Sequence, residues 1–154
     1  MPVKRLILGP GKHWPKINDD QFSDHFCDIL PFPGVDTVHN LNITPWPFAD
    51  NSFLHVSAIH LVEHLEHLVT FMNEAWRVLQ PGGTLYIETP EAGSNFDLTH
   101  ADPTHVRCYR VHSFINYFLP EGVANFGYTD KAWTFVKTES KDGILFIAGI
   151  PIKK

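Results

Sequence analysis

Phe53–Pro90 reads FLHVSAIHLVEHLEHLVTFMNEAWRVLQPGGTLYIETP. Its first run, Phe53 to Ile59, reads as a short strand. Leu65, Leu68, Val69, Met72, Ala75, Trp76 and Leu79 then recur at steps of three and four residues, the period of a helix with one apolar face. Pro81, Gly82 and Gly83 are expected to stop that helix and turn the chain. Thr84 to Thr89, β-branched and aromatic, reads as a second strand closed by Pro90. Strand, helix, strand is a βαβ unit, and its right-handed crossover makes the two strands parallel. The fold class is therefore α/β.

On the amino-terminal side, Lys4 to Leu8 is a short apolar strand running into Gly9-Pro10-Gly11, where a ligand would meet bare backbone. Lys12 to Phe26 is polar and aperiodic, so a loop is expected in place of a crossover helix. Phe26 to Ile29 reads as a second strand with Asp28 near its carboxyl end, and Val35 to His39 as a third, after the breakers Pro31, Pro33 and Gly34. The loop Asn40 to Asn51 is stiffened by Pro45 and Pro47. It carries Trp46 and Phe48, either as anchors in the core or as platforms for a flat ring. On the carboxyl side, Glu91 to Pro103 reads as a loop, and Val111 to Leu119 as a helix stopped by Pro120 and Gly122. Trp133 to Glu139 and Ile144 to Ile150 read as a hairpin around Lys141-Asp142-Gly143.

A chain of 154 residues, 44% apolar and 19% charged, is expected to form one domain, 1–154, with a substantial core. Its formal net charge of −5 gives no basic footprint for nucleic acid or an anionic membrane. No apolar run reaches the ~20 residues of a membrane span. Two cysteines, Cys27 and Cys108, are too few for a disulfide framework, and with no leader-like stretch the expected location is cytoplasmic.

Three blocks, PWPFADNSF (45–53), AIHLVEHL (58–65) and EAWRVLQPGGTLYIETP (74–90), together with the final hairpin, resemble the class I S-adenosylmethionine-dependent methyltransferases, in particular their small methyltransferase-like branch. The resemblance implies a Rossmann-like, mostly parallel sheet ending in an antiparallel hairpin, with S-adenosylmethionine as cofactor. It implies that Gly9, Pro10 and Gly11 lie under the methionine part and that Asp28 holds the ribose hydroxyls. Asn40 and Leu41 would flank the adenine, and His60 would face the sulfonium. Similar relatives keep a D-P-T-H-x-R stretch beside the active-site mouth, which here places His105 and Arg107 there. The sequence departs from the family in three respects. Lys12-His13-Trp14-Pro15 follows the glycines where a third glycine and a helix are usual. Asn40 stands where aspartate is common, and the capping amino-terminal helices are missing. The cofactor region is thus shortened.

The histidines invite sharper readings. His60, Glu63 and His64 spell H-x-x-E-H, a zinc-peptidase pattern, but that pattern fixes no third ligand. His100, Asp102, His105, Cys108 and His112 match no closed zinc pattern. No metal is expected. His60 and His105 are the candidate catalytic bases, since imidazole titrates near neutrality. Glu88 and Glu91 are candidate rim acids, and Glu74 with Arg77 reads as a helix-surface pair. The expected function is methyl transfer to a small-molecule acceptor. The alternative is a catalytically degenerate fold that binds a ligand or partner. A dehydrogenase would need the fuller G-x-G-x-x-G, which the chain lacks. A homodimer whose second copy closes the uncapped pocket is a further expectation.

Overall fold

The computed structural model describes residues 1–93 and 98–153. Seven strands, β1 (Val3–Leu8), β2 (Phe22–Asp28), β3 (Thr37–Val38), β4 (Phe53–Ile59), β5 (Leu79–Pro90), β6 (Trp133–Lys141) and β7 (Ile144–Pro151), form one sheet in the order β3-β2-β1-β4-β5-β7-β6. β1 to β5 pair in parallel. β7 inserts antiparallel between β5 and β6. The helices are α1 (Leu68–Val78), α2 (Leu98–Ala101), α3 (Val111–Phe118) and α4 (Pro120–Phe126), with a 3-10 turn at Val62–His64. No helix of the described residues is long and apolar enough to cross a membrane.

The period-2 pattern of the strands sorts their side chains onto two unlike faces. Leu6, Val56 and Leu85 align across β1, β4 and β5, and Leu8, Ala58, Ile87 and Ile147 form the next rank. These residues are buried in one core with Phe71, Met72, Ala75 and Val78 of α1 and Phe114 and Phe118 of α3. The opposite face presents Arg5, His55 and Thr84, then Ser57 and Tyr86. The loop residues Trp14, Pro15 and Ile17 line the shallow cavity over this face. All the described helices follow β4, so the sheet is covered by helices from the β4–β5 and β5–β6 connections. The β1–β2 link is the loop expected from its sequence.

Several element boundaries differ from the sequence reading. α1 ends at Val78, before the Pro-Gly-Gly, which lies inside β5 as a bulge: Leu79 pairs with Phe53 and Thr84 with His55. A Cβ on Gly83 would stand 2.9 Å from the Leu54 carbonyl, so the backbone folds here only without a side chain. The apolar period overran the helix because Leu79 is buried equally well as the first residue of a strand. β2 starts four residues earlier than expected, paired to β1 from Val3↔Phe22 onward. β3 shrinks to two residues. Pro120 opens α4 at its first turn, where the missing N–H costs nothing, and does not simply end α3. The hairpin forms as read, with Asp142 (φ 53°) and Gly143 (φ 79°) giving the doubly positive turn that matches strand twist. Within the expected 91–103 loop, α2 makes one helical turn, and residues 94–97 lie outside the described residues.

Candidate cofactor and acceptor cavities

The parallel strands deliver their carboxyl ends to one edge, where open α/β sheets bind ligands. β1 ends in Gly9 and Gly11, at φ +63° and +62°, a conformation that suits glycine. Gly9 N donates to the Cys27 carbonyl at 2.9 Å, fixing the loop to β2. Asp28, 7% exposed, accepts the Gly11 N–H on Oδ2 at 3.0 Å and the Leu30 N–H on Oδ1 at 3.1 Å. Each oxygen keeps a lone pair for a ligand. After β3, Trp46 packs against Phe71, ring centroids 5.6 Å apart, and donates its indole N–H to the Leu41 carbonyl at 3.1 Å. Trp46 is therefore a core anchor that holds Leu41 in place. Phe48 packs edge-on against Phe53 and His25.

Glu74 and Arg77 do more than a surface pair would. Glu74, 9% exposed, accepts the Trp46 N–H at 2.6 Å and two Arg77 N–H groups at 2.8 and 2.9 Å. Arg77 also donates to the carbonyls of Trp46 and Phe48 and to Asp50. Burial pushes the Glu74 carboxyl upward, but the Arg77 hydrogen bonds and charge and the Trp46 N–H outweigh it, and the net shift is down. The pair clamps the 45–50 loop to α1.

Gly9, Asp28, Asn40 and Leu41 line a single cavity of about 120 Å³ with His39, Leu61, His64 and Leu65. Pro10 is buried beside it, and Gly11 reaches it only through its bond to Asp28. A second, wider cavity of about 520 Å³ is lined by His60, Glu63, His64, Pro90, Ala101, Asp102, Pro103 and His105. His64 belongs to both. Of the expected cofactor residues, Gly9, Asp28, Asn40 and Leu41 thus gather at one cavity while Pro10, Gly11 and His60 do not line it, and both expected bases stand on its neighbour.

His60 closes β4 at φ +50°, outside the usual range for a side-chain-bearing residue, with its N–H on the Glu88 carbonyl at 2.9 Å. Such strain gathers at functional sites. Its Nδ1 lies 3.5 Å from Oε1 of the buried Glu63, and Glu63, opposed by burial and seconded by Glu88, raises the imidazole pKa above 6.5. The 102–109 segment returns to this edge through its backbone. Val106 and Arg107 both donate to the Glu63 carbonyl, at 2.9 and 3.1 Å, and Arg107 Nε donates to the Glu66 carbonyl at 2.9 Å. Residues 63–64 and 105 are brought together in this way. Arg107 ties down the segment through its own side chain, which lines neither cavity. Of the two rim acids, Glu88 accepts the Tyr86 hydroxyl at 2.6 Å and Glu91 accepts that of Ser140. The sequence reading missed Leu61, whose side chain covers Gly9, and the shared place of His64. No spacing in the sequence signals either.

Compared with known proteins, residues 22–87, less than half the chain, match the methyltransferase domain family. No curated protein matches the chain in sequence. Among solved structures the chain is similar to the CurJ carbon methyltransferase, with TM-score 0.63 and 15% identity over 99% of this chain and 49% of that one. It is also similar to an S-adenosylmethionine-dependent methyltransferase from Aquifex aeolicus, with TM-score 0.65 and 13% identity over 97% and 82%. A third, from Archaeoglobus fulgidus, has TM-score 0.64 and 16% identity over 99% and 86%. The chain spans about half the length of CurJ. The residues at the smaller cavity fit S-adenosylmethionine in kind: side-chain-free backbone at Gly9, a half-satisfied carboxylate at Asp28, and apolar walls at Leu41 and Leu61. The cavity's volume is below the ~300–1,000 Å³ usual for ligand sites. With residues 22–87 matching the methyltransferase domain family and the whole chain similar in fold to these solved structures, the chain has the class I S-adenosylmethionine-dependent methyltransferase fold, and S-adenosylmethionine is the cofactor the methyltransferase domain family implies.

Proposed function

We propose that the protein transfers the methyl group of S-adenosylmethionine to a small-molecule acceptor. One observation carries the reading: Gly9, Asp28, Asn40 and Leu41 gather around one cavity that shares His64 with the cavity of His60 and His105. When bound, the cofactor supplies an electrophilic methyl group on a sulfonium. Asp28 accepts the ribose hydroxyls on the lone pairs its backbone donors leave, and Leu41 and Leu61 wall the adenine. Gly9, Pro10 and Gly11 run beneath the methionine part, and Asn40 borders the base. The acceptor occupies the wider cavity, whose volume of about 520 Å³ suits a small molecule. The walls align its nucleophile with the methyl group, a gain from orientation. His60, fixed at the rim by its backbone N–H on the Glu88 carbonyl, takes the proton from an alcohol or protonated amine.

Amide hydrogen exchange with and without S-adenosylhomocysteine tests the placement. Protection at residues 9–11, 28–30 and 39–42 is expected, together with the 60–65 turn. Unchanged exchange in those segments at saturating ligand would overturn it. The small cavity favours a second reading, a degenerate fold that binds a partner or ligand without turnover, and that same unchanged exchange would support it.

A further inference from the structure

Glu63, His64 and His105 each offer one ligand atom, and these three atoms lie within 4.8 Å of one another. We propose that they form a binding site for one divalent first-row transition metal, Zn²⁺ foremost. Two imidazoles and one carboxylate are a donor set that such ions take, with open positions left for solvent or substrate. The inference concerns metal binding and stands independently of methyl transfer.

Three observations support it beyond proximity. Glu63 is 1% exposed and its Oε2 accepts the Thr89 hydroxyl at 3.0 Å, yet Oε1 has no hydrogen-bond partner. The nearby His60 Nδ1, at 3.5 Å, is too far for a good hydrogen bond. A buried carboxylate oxygen left unsatisfied is costly, and a cation beside it would remove that cost. Second, His64 Nδ1 lies 3.0 Å from the Thr104 hydroxyl, which itself donates to Asp102 Oδ1 at 2.6 Å. Thr104 has one proton and gives it to Asp102, so His64 Nδ1 must be the donor and Nε2 carries the lone pair. This is the orienting partner that metal-bound histidines characteristically have. Third, Asp102 also stands 3.9 Å from His105 Nε2, so one carboxylate faces His105 directly and His64 through Thr104. The His64 and His105 rings meet edge to face at 4.6 Å.

Closing the site needs little movement. A tetrahedral ion with bonds of about 2.0–2.1 Å sets its donors roughly 3.3 Å apart. The most distant pair must therefore approach by at most about 1.5 Å. Neither histidine pattern in the sequence joins these residues. H-x-x-E-H pairs Glu63 and His64 with His60, and the 100–112 cluster pairs His105 with Cys108 and His112. Among the described residues, neither of those groupings forms a ligand cluster. In this site His105 serves as a ligand and no longer as a base.

Chelator-stripped protein titrated with Co²⁺, followed by its visible absorption, and with Zn²⁺, by calorimetry, tests the site. One equivalent per chain is expected, with a Co²⁺ spectrum of low coordination number and an upward shift of thermal unfolding. His64→Ala and His105→Ala should each abolish saturable binding. Thr104→Val should weaken it about tenfold, and a His13→Ala/His112→Ala double variant should bind as wild type does. Any variant that fails to fold is replaced by the glutamine variant at the same position. No saturable binding to the wild-type protein, or equal binding after loss of His64 and His105 in folded protein, would overturn the proposal. S-adenosylhomocysteine binding, followed separately on the wild type and on His105→Ala, whose imidazole lines only the wider cavity, reports on the cofactor cavity.

Discussion

At the scale of single residues, the decisive side chains have two jobs at once. Trp46 fills the core and holds the Leu41 carbonyl. Asp28 ties the first glycine loop to the turn after β2 while presenting its carboxylate to the small cavity. Glu74 and Arg77 fasten the 45–50 loop to α1. Arg77→Ala would leave Glu74 buried with an uncompensated charge, so a loss of about 3 kcal/mol is expected at pH 7. The pH dependence follows from the sign of the Glu74 shift. Its folded pKa lies below the usual 4.5, so the stability it contributes is fully present above 4.5 and declines as pH falls through the folded value. In the variant the carboxyl is buried without its partner, and protonation relieves it. The gap between the two proteins in urea unfolding should therefore narrow as pH drops from 7 to below 4.5. A gap that stays constant or widens would show that Arg77 acts through its packing and its bonds to the 46–50 loop and not through the Glu74 charge.

At the scale of elements, the close packing of α3 and α4 depends on a missing side chain. A Cβ on Gly122 would stand 2.0 Å from the Asn116 carbonyl oxygen and 3.0 Å from Tyr117 Cα, backbone that cannot swing aside. Gly122→Ala should cost roughly 3 kcal/mol as α4 is pushed off α3. A chemical-denaturation midpoint equal to wild type would show that α4 is not held there. The same glycine shows where the sequence was readable. The strands β1, β4 and β7 and the DG hairpin could be read because period and turn chemistry are local. Pro120 and Gly122 look identical in sequence whether they stop one helix or start and pack the next. Only the contact with Asn116 separates the two readings. The Pro-Gly-Gly bulge in β5 was hidden for a like reason, since a helix stop and a strand bulge both call for glycine. At the candidate site, Gly9, Asp28 and Leu41 were legible through the family resemblance. The joining of Glu63 and His64 to His105 depends on backbone bonds across some forty residues and has no local signal.

At the scale of the whole molecule, the seven-stranded sheet is covered by helices that, among the described residues, all follow β4. The first half contributes loops, so the edge that would bind cofactor is built from turns stapled by Asp28 and Trp46. Such a site is expected to bind more weakly than one backed by a helix, because its ordering cost falls on binding. The carboxyl-terminal residues fasten the opposite edge of the sheet, where β4 and β5 begin. Lys153 donates to Asn51 and to the Arg77 and Leu79 carbonyls at the end of α1, and stands 4.4 Å over the Trp76 ring. Cations at that end of a helix are favoured by its dipole.

The most direct measurement is calorimetric titration with S-adenosylmethionine and S-adenosylhomocysteine of the wild type, Asp28→Ala and Asp28→Asn. Asn keeps an acceptor oxygen for only one of the two backbone N–H groups, Gly11 or Leu30, so it removes the charge and one tether while keeping the shape of the side chain, whereas Ala removes both tethers. Saturable binding to wild type, weakened at least tenfold in both folded variants, is the predicted result. Absence of binding to either compound, or binding indifferent to Asp28, would contradict the account of this edge as a cofactor site.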